Sequence, residues 1–178
     1  MSLSPLQLFT LFHTALSIVA IVSGILVVKG LAQSGGRQLW TLLFIWTAWA
    51  TTVTGFFFPF NGVTPALTLG VISLAPLTLA TLARYRYRLA EAWRGTYVIS
   101  AVITLYFNCF VLVVQSFRHF PSLNALAPTQ TEPSFKIAQL VNLLVFIVIG
   151  IVSFKKYRPK GLDLATDYVS PHHSEEIA

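Results

Sequence analysis

Residues 6–28 read LQLFTLFHTALSIVAIVSGILVV, and Lys29 follows directly. The run contains no charged side chain, and it is about as long as the roughly 20 apolar residues a helix needs to cross about 30 Å of hydrocarbon. Four more runs of this kind follow, at Leu39–Phe58, Thr64–Leu82, Thr96–Phe117 and Phe135–Phe154. A segment in lipid must pair its backbone donors and acceptors internally, so each run is assigned a helix. The sequence thus predicts an all-α integral membrane protein, a bundle of five transmembrane helices. The first run has no positive charge before it and exceeds a signal-peptide core in length, so it is read as a retained span.

The charges between the runs set an orientation. Lys29 and Arg37 separate spans one and two, Arg84, Arg86, Arg88 and Arg94 separate three and four, and Lys155, Lys156, Arg158 and Lys160 follow span five. These segments share one side and hold ten of the twelve Lys and Arg residues; the other side holds Arg118 and Lys136. Basic residues collect on the cytoplasmic face, so the N-terminus is expected outside and the C-terminus inside.

Composition agrees: 55% hydrophobic, 10% charged, mean hydropathy +0.71. The net charge of +6 sits at span ends, where anionic headgroups are the natural partners, and nucleic acid is not expected. Cys109 is the only cysteine, which excludes an intrachain disulfide and a cysteine metal cluster. Residues 1–158 are expected to form one five-helix domain, and 159–178 a disordered cytoplasmic tail carrying Asp163, Asp167, Glu175 and Glu176. His172 and His173, adjacent in that tail, make a poor metal site without further ligands.

Gln33–Gly36 reads as a flexible turn and Pro59–Pro65 as a tight one; Pro76 is expected to kink span three. In the Arg84–Arg94 link, arginines and aromatics alternate in the manner of headgroup anchors. The longest connection, Arg118 to Ser134, contains Pro121, Pro128 and Pro133, and its apolar members Phe120, Leu123, Leu126 and Ala127 are expected to pack onto the bundle mouth.

Polar and small residues recur along single helical faces. The series are His13, Ser17, Ala20 and Gly24; Thr47, Thr51 and Thr54; Thr104, Asn108 and Gln115; and Gln139, Asn142, Gly150 and Ser153. At 1.5 Å per residue, His13, Thr51 and Asn142 lie about 10 Å from the outer ends of their spans, with Asn108 a little deeper and Thr54, Gln139 and Gln115 shallower. A polar cluster in the outer half is therefore expected, roofed by the loop that holds His119 and Glu132. Such residues serve either as fasteners between helices or as the lining of a small-ligand pocket with His13 as its key group. The Ala20-x-x-x-Gly24 face is expected to pack a helix of the same bundle.

No carboxylate lies within any of the five runs, which argues against a proton-relay transporter, and no nucleophile elbow, zinc motif or phosphate loop occurs. The expectation is a non-enzymatic membrane component or ligand-binding protein without a cofactor, surrounded by lipid and able to join a homo-oligomer or a membrane complex. The alternative is a redox accessory protein holding one haem b or a quinone through His13, with His119 as the further haem ligand. Two stacked haems, as in four-helix cytochromes of the b561 type, would need histidines that this chain lacks.

Residues 54–60 (TGFFFPF) and 127–133 (APTQTEP), with His13-Thr-Ala, resemble a group of small uncharacterised bacterial inner-membrane proteins over most of spans one to five. The resemblance implies a bacterial cytoplasmic membrane and assigns no function to any residue.

Overall fold

The computed structural model describes residues 4–33, 38–59, 62 and 64–157. The tail at 159–178 with its two histidines, most of the turn at Gln33–Gly36, part of the turn at Pro59–Pro65, and the basic residues Arg37, Arg158 and Lys160 lie outside them. The described residues form helices without strands: α1 (Pro5–Ala32), α2 (Gln38–Gly55), α3 (Pro65–Thr81) with a π-helical extension (Leu82–Arg86), α4 (Ala92–His119), the short α5 (Pro121–Leu126) and α6 (Pro133–Lys156). α1, α3 with its extension, α4 and α6 are long and apolar enough to cross a membrane, as a multi-pass membrane protein requires. α2 is an 18-residue helix whose three tryptophans and five threonines lower its hydropathy.

Local chemistry starts these helices. Ser4 and Gln7 form a capping box at α1: the Gln7 N–H donates to Ser4 Oγ at 3.3 Å and the Ser4 N–H to Gln7 Oε1 at 2.9 Å. Thr64 caps α3 through the Leu67 N–H at 3.2 Å. α3 runs through Pro76 and changes pitch at Leu82–Arg86, before a link in which Arg88, Leu89 and Glu91 adopt positive φ.

α1 through α4 pack in sequence around a closed ring, with α4 returning against α1, and α6 lies along α1 and α4. At Gly24 an added Cβ would stand 2.6 Å from Leu105 Cδ1 and 2.8 Å from the Phe44 ring, so the Ala20–Gly24 face packs α2 and α4 inside the bundle, as its spacing predicts. α6 fully buries only Phe146 and Ser153; Ile149 packs partly on the core and Phe135 against Phe117, while Ile137, Leu140, Val141, Leu144, Val148 and Ile151 are exposed.

The two halves of the bundle differ in packing. Helix ends near Lys29, Arg84, Arg94 and Lys155 define a basic end, and the core lies toward it, built from Val27, Phe44, Ile45, Leu77, Ala80, Tyr97, Ala101 and Leu105. In the half that holds the N-terminus, none of residues 4–19, 49–55, 66–75, 106–116 or 133–145 is fully buried. That half is held by looser contacts, and its cap contributes Phe117 and Ala127 as buried residues.

Candidate functional site

The half-buried His13 sits on α1 opposite Thr54 of α2, with Nδ1 2.8 Å from Thr54 Oγ1. The Thr54 hydroxyl has one proton, and it donates to the Ala50 carbonyl at 2.6 Å, with the Thr51 carbonyl at 3.2 Å. Thr54 Oγ1 is therefore the acceptor from His13 Nδ1–H, and in the neutral imidazole Nε2 carries the free lone pair. Phe58 closes one side of the ring edge-on, with centroids 5.1 Å apart, and Phe9 packs on Phe58 at 5.0 Å.

Three buried polar atoms in this half have no hydrogen-bond partner: Thr51 Oγ1 on α2 and Gln139 Oε1 and Asn142 Nδ2 on α6. Leaving such a group unpaired costs about 1–3 kcal/mol, and no bulk water is at hand inside a bilayer to repay it. Gln139 spends its amide on the Phe110 carbonyl at 3.2 Å, which ties α6 to α4 and fixes Oε1 as a free acceptor. Asn142 follows one turn later on the same face. On α4, Asn108 Nδ2 donates to its own helix at the Thr104 carbonyl, 2.9 Å away.

The expected site residues thus divide. His13 and Thr54 are in direct contact, and Thr51, Gln139 and Asn142 present unpartnered atoms in the same half. Gln115 is exposed, and so is His119, the last residue of α4. Nine residues, about 13 Å of helix, separate His119 from Phe110 at the level of Gln139. Among the described residues no three His, Cys, Asp or Glu side chains gather in a metal-holding group.

The cap is a hydrogen-bonded unit. Glu132 accepts from the Thr129 N–H at 3.1 Å, the Thr129 hydroxyl at 2.9 Å and the Thr131 N–H at 2.9 Å. Removal from water raises the pKa of this carboxyl, but the hydrogen bonds outweigh that and hold it below the usual carboxylate value. Gln130 Nε2 donates to the Val114 carbonyl at 2.9 Å, Asn124 Nδ2 to the Phe117 carbonyl at 3.3 Å, and Ser134 Oγ to the Leu126 carbonyl at 2.7 Å. Ala127 is fully buried and Leu123 partly so, whereas Phe120 and Leu126 are exposed. The loop is anchored to α4 by its polar side chains and by Ala127.

No family model matches the chain. Comparisons with curated proteins and with solved structures likewise find no match.

A second polar group, at the basic end, escapes the sequence reading. Arg94 Nη1 donates to the Tyr157 carbonyl, Arg84 lies 5.9 Å from the centroid of the buried Tyr97 ring, and that ring packs against Tyr157 with centroids 6.4 Å apart. Tyrosines at the edges of spans four and five are the only sequence trace of this inward use of arginine.

Proposed function

We propose that this protein is a non-enzymatic, five-span component of the bacterial cell membrane that binds a small neutral molecule in a polar recess of its outer half. The observation that carries the reading is the set of unpartnered buried atoms on Thr51, Gln139 and Asn142 in the loosely packed half that also holds His13. Fasteners between helices satisfy one another; these atoms await a partner. The recess offers an acceptor at Gln139 Oε1, a donor at Asn142 Nδ2, a hydroxyl at Thr51 and a lone pair at His13 Nε2, with no charged side chain among them. A neutral ligand with both donors and acceptors suits that set.

The fifth span in this reading is α2. At about 27 Å it approaches the hydrocarbon thickness, and it lies along α1 from Phe44 beside Gly24 to Thr54 beside His13. A helix packed beside a span at both levels crosses with it. An odd number of crossings puts the termini on opposite faces, and ten of twelve basic residues put the N-terminus outside and the C-terminus in the cytoplasm. Residues 1–158 then form the membrane domain and 159–178 the cytoplasmic tail. The wide apolar face of α6 meets lipid, or the surface of a second copy or a membrane complex.

A redox reading through His13 is the alternative, favoured by the Nδ1–H bond to Thr54, which fixes the ring and leaves Nε2 free, as ligating histidines require. His13 would hold haem b by one axial bond, and exposed His119 does not supply the matching depth for a second. With Nε2 as an acceptor, a quinol hydroxyl fits this imidazole better than a quinone carbonyl does. If bound, haem would supply one-electron transfer; His13 and Thr54 would supply orientation.

Mass spectrometry of organic extracts from protein purified in mild detergent tests the proposal, comparing wild type with T51V/Q139M/N142L. A small molecule retained by wild type and lost from the folded variant is expected. Equal retention, or none in well-folded wild type, contradicts the reading. A reduced-minus-oxidised spectrum of the same samples, with and without H13A, separates haem from other ligands.

A further inference from the structure

We propose that the groove between α3 and α4 binds a neutral, membrane-dissolved alcohol, held by the Ser100 hydroxyl and the backbone carbonyl of Ile72. The groove has a volume of about 470 Å³, and Ile72, Pro76 and Leu79 of α3 and Thr96, Ser100 and Ile103 of α4 are among the residues that line it. In each trio the intervals are four and three, so each helix contributes a single face. Thr96, Thr104 and Ser116 of α4 all donate their hydroxyls to the carbonyl four residues back. Ser100 does not follow them: its own carbonyl accepts from Thr104 Oγ1 at 2.8 Å, while its hydroxyl makes no hydrogen bond to another described residue. Ser100 is nevertheless only 4% exposed, and the surface it retains lies in the groove. A buried hydroxyl left without a partner favours a ligand that supplies one.

The opposite wall carries a second unspent group. Pro76 lies inside α3 and has no N–H, so the Ile72 carbonyl, four residues back, lacks the donor that an unbroken α-helix supplies. The nearby Ser73 hydroxyl donates to Leu69, and no described side chain donates to Ile72. A bilayer offers no bulk water to pair that carbonyl. One ligand hydroxyl serves both walls, accepting from Ser100 Oγ–H and donating to the Ile72 carbonyl, while its apolar body lies along Leu79, Ile99 and Ile103. A hydrocarbon or an ether cannot donate to the carbonyl, and an anion would be buried without a counter-charge, since none of the lining residues is charged. Ile72, Leu79 and Ile99 are about half exposed, so the groove opens sideways and is entered from the bilayer. None of its lining residues belongs to the recess around His13.

Photo-crosslinking of the full-length protein in nanodiscs tests the site, with a diazirine analogue of farnesol, an apolar chain bearing one hydroxyl, as the probe. Mass spectrometry of peptides should locate the adducts within residues 72–79 and 96–107. Unlabelled farnesol should compete at about fivefold lower concentration than farnesyl methyl ether, which keeps the chain and the acceptor but cannot donate. S100A removes one hydrogen-bonding group, and P76A gives the Ile72 carbonyl an N–H from its own helix; each should lower labelling about fivefold. Adducts spread evenly over the exposed faces of α4 and α6 would overturn the proposal, as would equal competition by the ether. Unchanged labelling in both variants would overturn it too. Should P76A fail to fold, S100A and the ether decide.

Discussion

His13 Nδ1 lies 2.8 Å from Thr54 Oγ1, a hydroxyl whose only proton already points to the Ala50 carbonyl at 2.6 Å. The bond therefore runs one way, from imidazole to hydroxyl, and it joins α1 to α2 in a half of the bundle with few other tight contacts. Substituting Thr54 with Val leaves Nδ1–H unpaired and should cost about 1–2 kcal/mol of stability, while Thr54→Ser retains the acceptor and most of the stability. Nitrogen NMR of the labelled imidazole checks the tautomer: wild type should show a protonated Nδ1 and a bare Nε2, and a protonated Nε2 would refute the assignment.

Gly24 is a close approach of α1 to α2 and α4 in the core. A methyl there meets Leu105 and Phe44 at under 3 Å, so Gly24→Ala should destabilise by about 1–3 kcal/mol and Gly24→Val by more. Thermal unfolding in detergent measures the effect. A neutral Gly24→Val would mean that α1, α2 and α4 do not meet as described.

The cap carries a pH dependence with a definite sign. Glu132 titrates below its ordinary value near 4.5, so its contribution is complete above that value and is lost as pH falls through the lower folded one. Hydrogen exchange at residues 129–132 should rise on acidification in wild type. E132Q should show fast exchange there at neutral pH and little further change with acid.

Trp49 Nε1 donates to Thr81 Oγ1 at 3.0 Å and links α2 to α3. Trp49→Phe should cost about 1 kcal/mol from the lost bond, together with some loss of packing. Thr81→Val should cost a similar amount, and the double variant should fall short of the sum of the singles, because both remove one interaction.

Helix positions were readable from the sequence because hydrophobic length is a strong signal: the run at Phe135–Phe154 became α6 at Pro133–Lys156. α2 gives a weaker hydropathy signal because it carries threonines and tryptophans, of which Thr47 and Thr54 bond its own backbone and Trp49 bonds Thr81 of α3. The periodicity of His13, Thr51, Thr54, Gln139 and Asn142 placed them on faces, but which of them touch depends on helix rotation. Exposed Gln115 lies one heptad beyond Asn108 and illustrates the limit of that inference. The Arg94–Tyr157 contact was not legible, because 63 residues separate the two and only the return of α6 along α4 unites them.

The central claim is a polar recess that opens on the outer face of the membrane. Cysteine accessibility in intact cells tests it most directly, with single cysteines at positions 51, 139 and 142, and at 102 near the packed end, in a Cys109→Ala background. The account predicts that a membrane-impermeant thiol reagent added outside labels T51C, Q139C and N142C, which replace partly exposed residues, and spares V102C, which replaces a buried valine. Protection of all three outer positions in folded protein, or labelling of V102C at the same rate, would contradict it.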